Sequence, residues 1–186
     1  KQNQLLEQLN DELLQLANKD ALTNLANRHY LQRFLKEKLQ TPQHVTIFML
    51  DIDSFKLYND YYGHLQGDEV LVRVASILQQ VALEHHLIAV RLGGEEFALF
   101  GFDLSNDAAT HIAEIICTQV EAAKIPHEKS TASSFVTVSL GYVQLEQMTF
   151  VNFTNVLEMA DQALYAAKNN GRNQFQQYTP ELSVHV

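Results

Sequence analysis

Two short acidic clusters hold most of the chemistry available to this 186-residue chain. The first, Asp51-Ile-Asp53, closes the apolar run Val45 to Leu50; the second, Glu95-Glu96, follows Gly93-Gly94 and sits between two strand-like apolar runs. Carboxylate oxygens are hard donors, and with no cysteine close by they favour Mg2+ or Mn2+ over zinc. Asp51 and Asp53 are two residues apart, so a continuing strand puts both on one face. Gly93 and Gly94 lack a Cβ, allow positive φ and let another group come close to the backbone. Taken alone, each cluster also reads as a solvated turn or a strand end opening into water. Their joint presence argues for a site that handles charge.

From Asp51 the chain reads Asp-Ile-Asp-Ser-Phe-Lys-Leu-Tyr-Asn-Asp-Tyr-Tyr-Gly-His-Leu-Gln-Gly-Asp-Glu-Val-Leu, and from Gly93 it reads Gly-Gly-Glu-Glu-Phe. Together these resemble the GGDEF domain of diguanylate cyclases, which condense two GTP molecules into cyclic di-GMP. Three more segments share the likeness: Asp20-Ala-Leu-Thr-Asn-Leu-Ala-Asn-Arg28, Ser139-Leu-Gly141, and Ala160-Asp-Gln-Ala-Leu-Tyr-Ala-Ala-Lys-Asn-Asn-Gly-Arg-Asn173. The resemblance spans Asp20 to about Phe175, and the specificity lies in the motifs occurring together and in order.

The resemblance implies a set of roles. Asp51 and Glu95 would be metal ligands, joined by the backbone carbonyl of Ile52, with Asp53 a further metal-site candidate. Glu96 would support the metal or accept a proton, two roles that sequence does not separate. Lys56, Lys168 and Arg172 would meet the triphosphate, with Phe55, Gly93 and Gly94 counted among the substrate contacts. Lys168 and Arg172 are four apart, which on a helix puts them on one face; basic residues at a helix end also complement the macrodipole, and Gly171 reads as a helix stop. Asn59 and Asp68 would select the base: a carboxylate can accept from the N1-H and 2-amino edge of guanine, which adenine lacks, and a mismatch in a desolvated site discriminates strongly. Asp68 also reads as a helix N-cap, since Gly67 precedes it and Val70, Leu71, Val74, Ile77 and Leu78 follow. His64 reads as a turn residue and His85-His86 as a surface pair in a loop.

Because one such domain presents one GTP, ring closure implies a homodimer. Leu6, Leu9, Leu13 and Leu16 follow the a/d spacing of a short coiled coil, although a helix packed on its own domain fits as well. The resemblance also implies an upstream sensor module, absent from a sequence that starts at Lys1 and through which a full-length protein could be membrane-anchored. Many relatives carry Arg-x-x-Asp ahead of the hairpin as a product-inhibition site; here those positions are Glu84 and Leu87, so that site is expected to be absent. Other departures, Asn24, Ala26 and Leu92, bear on turn geometry, and Asn24 tolerates a left-handed backbone. Two functions remain open: an active GTP-dependent cyclase, or a catalytically silent GTP-binding or dimerisation module that regulates a partner.

The elements that must position these residues follow from patterning. With 46% hydrophobic residues the chain can bury one sizeable core. Its charge of -9 argues against non-specific nucleic-acid binding. No apolar run is long enough to span a membrane and no secretory signal pattern appears, and a single cysteine suits a reducing cytoplasm, where the segment is expected. Cys117 is the only cysteine and reads as a buried helix position. The sequence predicts helices near residues 5–17, 28–39, 68–83, 105–124 and 152–169. It predicts strands at 45–50, 88–92 and 97–102, a long strand from Phe135, and a short one near Phe175. This is an α+β fold, a mostly antiparallel central sheet flanked by helices. The resemblance makes it palm-type, nucleotidyl-cyclase-like, with a linker helix at 1–19, the GGDEF domain at 20–178 and a tail at 179–186.

Overall fold

The computed structural model describes residues 4, 13, 14 and 17–185. The expected N-terminal helix and its leucine stripe lie largely outside the described residues. The elements run β1 (Ala26–Asn27), α1 (Arg28–Lys38), β2 (Gln43–Ile52), α2 (Phe55–Tyr62), α3 (His64–His85), β3 (Ile88–Gly93), β4 (Glu96–Phe102), α4 (Asn106–Ala122), β5 (Val138–Met148), α5 (Phe153–Asn169) and β6 (Phe175–Gln177). A 3-10 turn precedes α5 and another follows β6.

The sheet order is β1-β3-β4-β2-β5-β6. The four inner strands pair antiparallel, and each edge strand is parallel to its neighbour. The fold is thus the expected α+β arrangement. β2 lies at its centre and is buried on both faces because side chains alternate along a strand. Phe48, Leu50 and Ile52 join one apolar cluster with α3 and α4, whereas Val45, Ile47 and Met49 join the other with α1 and α5. Fully burying one such side chain is worth about 1.5–3 kcal/mol, so the strand that carries Asp51 is anchored from above and below.

Several boundaries differ from the patterned expectation. Helix α3 starts at His64 rather than Asp68, because Gly63 at φ +91 turns the chain sharply, its N–H bonding to Asn59 O at 2.8 Å. Asp68 therefore sits in the second turn of α3 and is not its cap; His85 is the last residue of α3 and His86 its left-handed cap. Short α2 was hidden by its flanking motif. Strand β5 begins at Val138, since Phe135 forms only a bridge to Pro126. Ser105 does cap α4, its Oγ accepting from Ala108 N, and Asn24 takes φ +60. Helix α5 ends at Asn169 in a Schellman arrangement: Gly171 has φ +114 and the Arg172 N–H reaches Ala167 O at 3.1 Å. Arg172 is thus beyond the helix, and its expected shared helical face with Lys168 does not exist.

Helix α5 lies close on β5. A Cβ on Gly141 would fall 2.1 Å from Leu164 N and 2.4 Å from Ala160 O, so glycine is what lets strand and helix backbones touch. Gly141→Ala should cost about 3 kcal/mol by overpacking two rigid backbones, lowering the thermal midpoint by several degrees; an unchanged melting curve would show that α5 is free to shift. Cys117 is buried, and burial pushes its thiol up to about 12. At pH 8 its thiolate fraction is then of order 10⁻⁴, against about a quarter for a free thiol, so labelling by a disulfide reagent should await unfolding.

Candidate active site

The site forms where β2 ends beside the β3–β4 hairpin. Asp51 is opposite Glu96 on β4 and Ser139 on β5. The Ile52 N–H donates to Glu95 O at 3.4 Å, which ties the hairpin tip to the strand carrying Asp51. Gly93 at φ +146 and Gly94 at φ +53 take conformations that a side chain would strain, and so turn Glu95 toward β2. Arg91 fixes the tip, Nε and Nη2 donating to Gly94 O at 3.0 and 2.7 Å and Nη1 to Asp20 at 2.9 Å. Thr23 donates to that same Asp20 oxygen through its N–H and its hydroxyl.

The acids of the first cluster do different work. Asp53 is 2% exposed, and both of its oxygens accept: Oδ1 from Ser139 Oγ at 2.6 Å, Oδ2 from Thr137 Oγ1 at 2.8 Å and from Asn173 N at 3.0 Å. It stitches the end of β2 to β5 and to the segment after α5, a competing use for a residue expected as a metal candidate. Asp51 pairs through Oδ2 with Lys168 Nζ, while its buried Oδ1 has no hydrogen-bond partner. Burial raises the Asp51 carboxyl above its ordinary range, opposed by Lys168 and reinforced by repulsion from Asp53 and Asp161. Glu95 is also raised, first by burial and then by the Asp51 charge, with Lys168 pulling it down and Glu96 pushing it up. Glu95 therefore feels the Asp51 charge, and Lys168 lowers both carboxyls.

That arrangement fits a small divalent cation. The donors are oxygens, one is buried and unpaired, and two carboxylates repel for want of positive charge. Among the described residues no group of three or more His, Cys, Asp or Glu side chains could hold a metal by itself. Few protein ligands suit Mg2+, which is commonly held by one or two carboxylates together with substrate phosphates.

On the other side, α2 and α3 meet at Gly63. A Cβ on Gly67 would lie 1.8 Å from Asn59 Oδ1 and 3.3 Å from the Phe55 ring. The Asn59 side chain thus occupies the place of a missing methyl group, with its Oδ1 buried and unpaired. Asp68, the residue after Gly67, is exposed, and so is Lys56 on α2. Phe55 is buried, its ring stacked near Tyr58 at 6.4 Å between centroids. Asn59 is packed against Gly67, the residue before Asp68, at the α2–α3 corner. Arg172 is exposed with φ +64, on the turn beyond α5. Of the product-site positions, Glu84 is exposed and accepts from Gln80 Nε2 at 2.7 Å, while Leu87 is buried.

Sequence reasoning assigned no role to Arg91, Asp20, Thr137 or Asn173. Arg91 directly precedes the Leu-Gly-Gly tip, and Asp20 with Thr23 has the three-residue spacing of a side-chain-capped turn, a signal that was legible. Thr137 and Asn173 had none, since only the fold brings them to Asp53.

The described residues include no helix long and apolar enough to cross a membrane. The family model described as the GGDEF domain of diguanylate cyclases matches residues 17–174. Diguanylate cyclase A of Treponema denticola is 37% identical over 171 residues, covering 88% of this chain and 45% of that protein. The cyclic di-GMP phosphodiesterase PdeR of Escherichia coli is 34% identical over 173 residues, 92% of this chain and 25% of that protein. A crystal structure of the coiled coil and GGDEF domain of DgcB from Caulobacter crescentus in complex with c-di-GMP superposes with a TM-score of 0.79 at 31% identity, covering 95% of both chains. The chain thus spans about half or less of the length of the curated relatives it matches. With the hairpin, the acid pairs and the α2–α3 corner all in place, the chain belongs to the GGDEF family.

Proposed function

We propose that this chain is a diguanylate cyclase domain: it binds GTP with a divalent cation and, in a homodimer, joins two GTP into cyclic di-GMP and two pyrophosphates. The observation that carries this reading is the unpaired, buried Oδ1 of Asp51 beside a Glu95 whose carboxyl is pushed up by burial and by Asp51 itself. The Asp51–Glu96 register and the Ile52 N–H to Glu95 O bond keep the two carboxyls close, where a cation would offset their charge.

Asp51, Glu95 and the Ile52 carbonyl would hold Mg2+ or Mn2+, leaving Asp53 to brace the turn. When bound, the cation supplies charge neutralisation for the phosphates. The chain's own residues do the rest. Asn59 and Asp68 orient the guanine, Asp68 taking the N1-H and 2-amino protons that distinguish it from adenine. Lys56, Lys168 and Arg172 offset phosphate charge, with Phe55 and the Gly93-Gly94 backbone beside them. Lys168, paired here with Asp51, would also be within reach of phosphate oxygens if a cation at Asp51 shared that charge. The 3′-hydroxyl of one GTP attacks the α-phosphate of the other, pyrophosphate leaves, and Glu96 accepts the hydroxyl proton or supports the metal site. A second attack with roles exchanged closes the ring, so each domain presents one nucleotide to the other. The same reading takes residues 1–19 as a linker helix, 20–178 as the domain and 179–186 as its tail, with a sensor upstream. It leaves Glu84 and Leu87 without a role in product binding.

Incubating the protein with Mg2+ and GTP, ATP or both, over a range of protein concentrations, should give cyclic di-GMP from GTP alone, with specific activity rising with concentration. No product at any concentration would favour the silent module. Glu95→Gln should cut turnover by about a hundredfold or more, with excess Mn2+ recovering only part of it; near wild-type rates would remove Glu95 from the site. Gly67→Ala should displace Asn59 and raise KM for GTP by about tenfold, equivalent to about 1.4 kcal/mol, which steady-state kinetics would show.

A further inference from the structure

One buried titratable side chain takes no part in the chemistry above. His127 lies in the loop between α4 and β5 and is 1% exposed. Its Nε2 is 3.0 Å from the carbonyl oxygen of Ser54, the residue between Asp53 and the first turn of α2. Its ring stands edge-on to Tyr58, 5.1 Å between centroids at 87°. Its own backbone is pinned by an N–H to Ser134 O at 2.9 Å and by the Ser130 N–H to its carbonyl at 3.2 Å.

A carbonyl can only accept, so Nε2 must carry the proton in this bond. The other ring nitrogen, Nδ1, is buried with no partner, which suits a bare lone pair better than a second N–H that would have no acceptor. His127 is thus a fixed donor aimed at a single backbone atom. That atom belongs to a strained residue: Ser54 has φ +54 and no side-chain cap bond, a left-handed conformation that persists only where its surroundings enforce it. Two donors meet the Ser54 carbonyl, His127 Nε2 and the Tyr58 N–H at 3.0 Å. The next residue of the loop grips the far end of the same helix, the Glu128 N–H donating to Tyr62 Oη at 3.1 Å.

From this we infer that His127 is a positioning residue for the nucleotide site. It holds the Ser54 peptide, and through it the turn that sets the Ile52 carbonyl on one side and launches α2, with Phe55, Lys56 and Asn59, on the other. The loop acts as a clamp over α2, engaging Ser54 at its start and Tyr62 at its end. The inference rests on the reading of α2 as part of the GTP site given above.

The test compares His127→Leu, which keeps the apolar bulk and removes the donor, with His127→Gln, whose amide nitrogen can donate where Nε2 did. H127L should raise KM for GTP by about tenfold, the scale of one lost hydrogen bond, and H127Q should return it to within about threefold of the parent. Thermal midpoints are measured in parallel. An H127L protein that melts lower but keeps the parental KM, or an H127Q protein as impaired as H127L, would reduce His127 to a core filler and overturn the inference. Should H127L fail to fold, long-range 1H–15N spectra of the unmodified protein decide: the neutral tautomer protonated at Nε2 is expected, and one protonated at Nδ1 overturns the bond. A parent protein that binds no guanine nucleotide would sink the substrate reading and this inference with it. Parental binding with an unaffected H127L would sink only the role of His127.

Discussion

The pairing register of β2 with β4 fixes where the two acidic clusters meet. Asp51 opposes Glu96, and the Ile52 amide reaches the Glu95 carbonyl just past the last ladder pair. A slip of one residue would send Asp51 into the opposite apolar cluster and a core side chain of β2 toward the site. The cost of that exchange explains why the register holds, since Phe48, Leu50 and Ile52 on one face and Val45, Ile47 and Met49 on the other are buried to nearly their full extent. The geometry of a polar site is thus enforced by apolar packing some residues away.

Given that register, the electrostatics follow. Burial raises both Asp51 and Glu95 and the Asp51 charge raises Glu95 further, a state the protein tolerates because Lys168 lowers both. Lys168 reaches Asp51 only because α5 lies against β5 with backbone contact at Gly141, so a glycine on one strand controls an ion pair at the end of the next. Asp53 shows the complementary use of a buried carboxylate: three protein donors satisfy it, and it holds together three segments that meet at the strand end. Two aspartates two residues apart therefore differ in kind, one fully hydrogen-bonded and one with an open oxygen.

The sheet and its strand-end acids were legible because β2 is a continuous apolar run and the hairpin announces itself with paired glycines. Helix α5 was legible from its periodicity and its stop at Gly171. What escaped was local backbone geometry and long-range contact. Residues 51–71 read as one motif, yet the chain breaks them into a strand, a strained turn, a two-turn helix and a glycine corner, so Asp68 falls inside α3 instead of at its cap. Four-residue spacing suggested that Lys168 and Arg172 share a helical face, but spacing cannot show that the helix ends between them. The orphaned Asn59 Oδ1 against Gly67, the Arg91 bonds to Gly94 and the His127 donor to Ser54 all join residues that sequence order gives no reason to pair, or pair only through a turn whose shape it does not specify.

The proposed function requires that Asp51 and Glu95 together hold one divalent cation. Its most direct test is the anomalous scattering of Mn2+ in crystals grown with a nonhydrolysable GTP analogue. Manganese is expected at oxygens of both Asp51 and Glu95, with the Lys168 ammonium withdrawn from Asp51 toward phosphate. Manganese bound elsewhere, or an intact Lys168 to Asp51 pair beside a fully seated nucleotide, would contradict it.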